Sequence, residues 1–361
     1  MEFNHFLSAY YPDPNYGGER LYADMIEQAR FADVMGYQSV SIPEHHLINI
    51  LLTPAPLQMA VKLACETQNL RIVTSVSVLP LHDMRIFAGE VAQADILCDG
   101  RLVLGVGRGA FAYEMNRMGI TMEETRAKFD ESFNVLRTLL SEKEVSWNGE
   151  YYKFDPITIM PRPISNPMQM QLAALTPEAI YHSVKRGLHI QTTPLSGSGD
   201  LFAQQCSAFH RGKADLGEAG KHLTLSLSRV AYAARDAGDA RKKLTMAHEY
   251  YKRFDNVFTG PGEVMNGCIT PLDRKQTMDE LNENVLICPP AEMIDRLGQY
   301  AEAGIDEFIV NFNIGESQAE TLEAMQRFAE EVMPHFTGRA APQTYGAPAM
   351  KKEARNAHHP R

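Results

Sequence analysis

The chain has 361 residues, 44% hydrophobic and 22% charged, with a formal net charge of −10 and no Lys/Arg cluster; this excludes a nucleic-acid surface and disfavours anionic membranes. Its five cysteines, at 65, 98, 206, 268 and 288, contain no C-x-x-C pair, which excludes a zinc ribbon and fits reduced thiols in a cytoplasmic protein. The sequence shows neither a signal peptide nor an apolar run of membrane-spanning length.

In chain order, residues 1–9 read as a strand, and 10–18 (YYPDPNYGG) as a loop. An apolar stripe through Leu21, Met25, Ile26, Ala29 and Ala32 predicts a helix over 19–35, closed by Gly36. The alternating run that starts at Gln38 is a second strand. A helix is expected over 55–67, a strand over 70–79, a helix over 85–97 and a fourth strand over 101–106. A helix over 123–140 precedes a hairpin over 145–154 turned at Asn148-Gly149. Strands at 170–175, 188–193, 223–233 and 305–312 alternate with helices at 177–186, 201–216, 237–254 and 318–333.

Eight strands alternating with eight helices predict a single (β/α)8 TIM barrel over residues 1–336. Residues 255–290, with three Gly, four Pro and little periodicity, are expected to form a mobile loop over the site. Residues 337–361 read as a flexible tail.

The stretch QSVSIPEHH delivers Glu44, His45 and His46 where the second strand ends at Pro43. Barrels place their chemistry at such strand ends; the competing reading is a pair of histidines hydrogen-bonded to nearby backbone. A metal reading would join Glu44 and His46, which point the same way from a strand, with His5 and His82. No H-x-H pair or further carboxylate completes a three-ligand set, so no metal is expected.

The run LGVGRG sets Gly107 and Gly109 around Arg108 at the end of the fourth strand. Glycine admits close approach of a ligand to backbone, and arginine is a permanent cation suited to phosphate. The run is neither a Rossmann fingerprint nor a Walker loop. Arg126 could supply a second cation. After the fifth strand, Leu175-Thr176-Pro177 pairs a good N-cap with proline at the first helical position, so a helix opens there with free amides able to hold an anion.

Together, EHH, VLPLH, DGRLVLGVGRG and MGITMEETR resemble bacterial luciferase and its flavin-dependent monooxygenase relatives. The likeness runs from MEFNHFLSAYYPD through AEMIDRL and AGIDEFIVNF to VMPHF. It implies a barrel that takes reduced FMN from a separate flavin reductase and usually dimerises. O2 adds to the flavin to give a C4a-(hydro)peroxide, which transfers oxygen to a small or medium apolar substrate. By position, Arg108 and Arg126 would hold the FMN phosphate, helped by Leu175 and Thr176. His45, beside Glu44, would be the acid/base, and Ser75-Val76 would be a non-prolyl cis peptide facing the flavin. Three departures stand out: Gly107 replaces a frequent cysteine, Leu175 a glutamate and Ala179 a threonine. Runner-up readings are an F420-dependent oxidoreductase of the same superfamily and a barrel metallohydrolase.

Overall fold

A computed structural model describes residues 1–197 and 199–337. Most of the expected tail, residues 338–361, lies outside the described residues. All eight expected strands form: β1 Glu2–Phe6, β2 Ser39–Ile42, β3 Arg71–Thr74, β4 Leu102–Gly107, β5 Met170–Ala173, β6 His189–Thr192, β7 Leu225–Ala233 and β8 Glu307–Asn311. They pair in parallel in that order. The sheet closes because β7 pairs with β6 (Leu225 opposite Ile190) and with β8 (Ser226 opposite Glu307), while β8 pairs with β1 (Asn4 opposite Ile309).

The layer outside the strands contains α1 Gly18–Met35, α2 Pro56–Glu66, α3 Met84–Leu97, α4 Thr125–Ser141, α5 Pro177–Lys185, α6 Gly199–Leu216, α7 Ala237–Phe258 and α8 Gln318–Arg327. Side chains alternate across each strand. Phe3 therefore packs outward against Phe328, at 5.2 Å between ring centroids, while Asn4 turns inward. Inside the barrel Glu307 accepts hydrogen bonds from Asn4, Ser39 and Ser226. This polar layer floors the barrel, and the central cavity opens above it.

Residues 255–290 are more structured than their composition suggests. α7 runs on to Phe258, Val264–Met265 pairs with Cys268–Ile269, and Met278–Asn284 is a short helix. That helix has a complete capping box between Thr277 and Glu280, a signal legible in T-M-D-E. The three-residue strand Leu286–Cys288 then adds to the end of β7, and Pro290–Glu302 forms a helix missing from the sequence-based count. A strand this short is set by burial against its neighbour, which local periodicity does not report. The hairpin also differs in detail: Val145–Asn148 pairs with Lys153–Ile157, and Glu131 accepts the amides of Glu150, Tyr151 and Tyr152 in the connecting loop.

His5 lies in the layer between the barrel and α1. Its Nε2 is 3.0 Å from Gln28 Oε1, and Nδ1 is buried without a partner. Burial lowers its pKa from 6.5 to about 4, against a smaller raising effect of Gln28. The unfolded chain therefore takes up this proton first as the pH falls. Stability should drop by on the order of 3 kcal/mol between pH 6.5 and 4 from this group alone. Denaturant titrations across that range should show a shallower acid limb for His5→Gln; an unchanged limb would exclude the assignment.

Candidate active site

At the end of β2, Pro43 ends the ladder and the chain turns over the barrel mouth. Glu44 is 1% exposed, and its two oxygens take three donors. Oε1 lies 3.0 Å from His46 Nε2 and 2.9 Å from His82 Nε2, while Oε2 accepts the Val78 amide at 2.8 Å. Burial pushes the carboxyl pKa up, but the bonds to His46 and His82 outweigh it and hold Glu44 below the usual range. The Glu44 hydrogen bond in turn raises the pKa of His46 against the effect of its own partial burial. Glu44 is thus a hub joining the loops after β2 and β3, with both oxygens engaged. His46 and His82 spend Nε2 on that hub, and no group of three His, Cys, Asp or Glu among the described residues is arranged to hold a metal ion.

His45 is held by a different carboxylate and through its other nitrogen. Its Nδ1 is 2.9 Å from Glu114 Oε2, and Glu114 Oε1 accepts the His46 amide at 2.5 Å. An ionised carboxylate only accepts, so Nδ1 carries the hydrogen. Nε2 has no protein partner among the described residues. The imidazole lies flat on Phe111, with centroids 4.2 Å apart and planes at 19°. One face and one nitrogen are therefore fixed and the other nitrogen is available. Sequence reasoning missed Glu114, on the short helix Ala112–Arg117. Nothing in FAYEMN distinguishes it from a surface acid.

The central cavity, about 180 Å³ in volume, lies at the C-terminal ends of the strands, as barrels place their sites. Phe6, Leu51, Leu195 and Phe254 give it an apolar lining. Ser75-Val76 borders it and is a non-prolyl cis peptide. Ser75 Oγ donates to Gln191 Oε1 at 2.9 Å. His45 is not among the lining residues. The connection runs through Phe111, which meets Phe254 edge-on with centroids 5.6 Å apart.

The three glycines of GVGRG serve three purposes. A Cβ on Gly105 would fall 1.9 Å from the Thr74 carbonyl oxygen, and one on Gly107 would fall 2.6 Å from Val76 Cγ2. A cysteine at 107 would therefore displace the side chain beside the cis peptide. Gly109 has φ +83°, which favours glycine.

A second pocket, about 310 Å³ in volume, is lined by Arg126, Thr176, Ala179 and Arg186 at the start of α5. Thr176 caps that helix, its side chain accepting the Ala179 amide at 3.2 Å. Leu175, one residue earlier, lines the central cavity, and its carbonyl accepts from Gln205 Nε2 at 2.7 Å. Arg108 and Arg126 are exposed and without a protein partner among the described residues; Arg108 is not part of the second pocket's lining. A cofactor with a flat ring and a phosphate fits this division. The ring would have an apolar cavity bordered by Ser75-Val76, and the phosphate would have the exposed Arg126 and a helix N-terminus.

Residues 1–307 match the model of the family described as luciferase-like monooxygenase. The chain belongs to that family. It is 28% identical to the oxygenase component of a flavin-dependent trigonelline monooxygenase from Acinetobacter baylyi, over 93% of this chain and 96% of that one. It is 24% identical to an F420-dependent glucose-6-phosphate dehydrogenase from Intrasporangium calvum, over 87% and 95% respectively. The oxygenating constituent of 3,6-diketocamphane monooxygenase from Pseudomonas putida, solved with FMN, superposes with a TM-score of 0.74. It is 18% identical and the match covers 93% of this chain and 98% of that one. Family and fold mark the protein as an oxidoreductase. Among the described residues no helix is long and apolar enough to cross a membrane.

Proposed function

We propose that the protein is a monooxygenase that uses reduced FMN from a separate reductase to place one oxygen atom of O2 on an organic substrate with an apolar body. The observation that carries this reading is His45: Glu114 and Phe111 hold its ring, and Nε2 is left free at the barrel mouth. The similarity to a flavin-dependent oxygenase component supports both the flavin and a reductase partner. Reduced flavin, when bound, supplies the electrons that activate O2.

The chain's own residues do the rest. Arg108, Arg126 and the Thr176 end of α5 bind the phosphate, while Ser75, Val76 and Gly107 support the ring. His45 Nε2 gives or takes a proton, the acid/base role that an imidazole most often fills in enzymes. In this reading Glu44 is a positioning residue, because both of its oxygens are already engaged. Tyr250, Tyr251 and Phe254 of α7 cover the cavity and exclude water, and residues 255–290 serve as the lid.

Anaerobic titration with photoreduced FMN should show saturable binding. Mixing the complex with air-saturated buffer should then give multiphasic reoxidation, slower than that of free reduced FMN. The second reading is F420-dependent hydride transfer, favoured by the F420-dependent relative. Binding of F420, with none of FMN in either redox state, would establish it instead. Arg108→Ala and Arg126→Ala should each weaken FMN binding by about 10- to 100-fold, while riboflavin, which lacks the phosphate, binds as before. Unchanged FMN affinity would exclude the phosphate role.

A further inference from the structure

A buried arginine stands at the wall of the central cavity without an acidic partner. Arg229 is 4% exposed and borders the cavity beside Leu195 and Tyr251. Its Nη1 donates to the carbonyl oxygens of Leu195, at 3.0 Å, and Asn284. Nε and Nη2 have no protein partner among the described residues, and Nε is fully buried. Asp255 does not compensate it, because its Oδ2 lies 3.1 Å from Arg274 Nε. The Arg274 side chain is itself 6% exposed, its guanidinium lies 5.0 Å from the Tyr251 ring centroid, and its Nη1 is buried without a partner. Arg274 thus holds the one carboxylate, and the Arg229 guanidinium has only two backbone carbonyls and the Tyr300 ring, whose centroid is 6.0 Å away, to offset its charge.

An arginine does not shed its proton in a protein, so this wall keeps a positive charge withdrawn from water. An uncompensated buried charge is strongly unfavourable, and a fold that retains one at a cavity points to an anion that arrives there. The free edge suits an oxyanion. Nε–H and Nη2–H form the side-on fork of a guanidinium, the edge with which Arg85 holds both oxygens of Asp83 in this same protein. Two parallel N–H groups match the two oxygens of a carboxylate.

We propose that the substrate carries a carboxylate, received by the Nε–Nη2 edge of Arg229, with its apolar remainder against Phe6, Leu51 and Phe254. This rests on the proposed function and places the substrate in the central cavity beside the flavin ring, giving that apolar substrate an anionic handle.

The test is calorimetric binding of benzoate, cinnamate and octanoate, each against its own amide, with and without FMN. It uses the full-length wild type, Arg229→Lys and Arg229→Met. At least one acid should bind the wild type about tenfold or more tighter than its amide. Arg229→Lys, which keeps the charge and loses the fork, should bring that ratio to within roughly threefold of one, and Arg229→Met should abolish it. Melting temperature and FMN affinity should hold in Arg229→Lys.

Amides that bind the wild type as well as acids, or no binding by any of the six, would overturn the proposal without recourse to a variant. A fall in FMN affinity in Arg229→Lys, with acid preference intact, would assign the guanidinium to the cofactor phosphate and overturn it equally. None of these measurements involves oxygen. A protein that prefers acids but does not react reduced FMN with O2 refutes the reaction and keeps the carboxylate; the converse result refutes only the carboxylate.

Discussion

His45→Ala lowers oxygen transfer by about 10²- to 10⁴-fold, the range that a positioned acid/base group contributes. FMN affinity stays near the wild-type value, because the phosphate and ring contacts proposed above lie on other residues. Flavin oxidation continues, and the oxygen not transferred appears as hydrogen peroxide. Measuring product and peroxide per flavin oxidised therefore separates a chemical role from a structural one. Glu114→Ala retains the imidazole but releases its ring, since Nδ1 loses its partner at 2.9 Å. Its effect should be smaller, between ~10- and ~100-fold. If His45→Ala binds FMN as poorly as it transfers oxygen, the residue is structural and the mechanism fails.

Gly105→Ala prevents stable folding. The added Cβ would lie 1.9 Å from the Thr74 carbonyl oxygen and 3.1 Å from the Thr74 carbonyl carbon. Both are backbone atoms, so neither can swing aside. The same two strands are already tied together by Thr74 Oγ1, which donates to the Gly105 carbonyl at 2.7 Å. Relief requires β3 and β4 to part within a closed barrel, and we expect destabilisation of more than about 3 kcal/mol or insoluble protein. Gly89→Ala in α3 is the control. Its Cβ would meet nothing within 4 Å, and alanine should stabilise that helix by roughly 0.5–1 kcal/mol. Urea midpoints compare the two, and a Gly105→Ala protein as stable as wild type would refute the packing argument.

The purpose of each glycine in GVGRG was not legible from the run itself, which reads equally as a ligand cradle or as a turn. Neighbouring strands decide it: Thr74 lies against Gly105 and Val76 against Gly107, contacts made across some thirty residues of chain. Glu114 was hidden for a similar reason. It meets His45 across 69 residues, and its immediate neighbours carry no trace of that pairing. Arg229 sits within the strand LSLSRVAYA, where an arginine reads as a solvated side chain. Only the loop at Leu195 and the end of the helix at Asn284 show it buried.

What the sequence by itself determined is local and periodic. Alternation of apolar residues set the eight barrel strands, the 3.6-residue stripes set their helices, and Pro43 fixed where EHH leaves the sheet. The Thr277 capping box lay in the sequence too, though the surrounding Gly and Pro obscured it. Tertiary structure alone decided which strand closes on which, that Leu286–Cys288 pairs with the end of β7, and which carboxylate holds each of the clustered histidines. Those outcomes depend on which distant groups compete for each hydrogen bond and each buried volume, and such competition is settled only when the whole barrel closes.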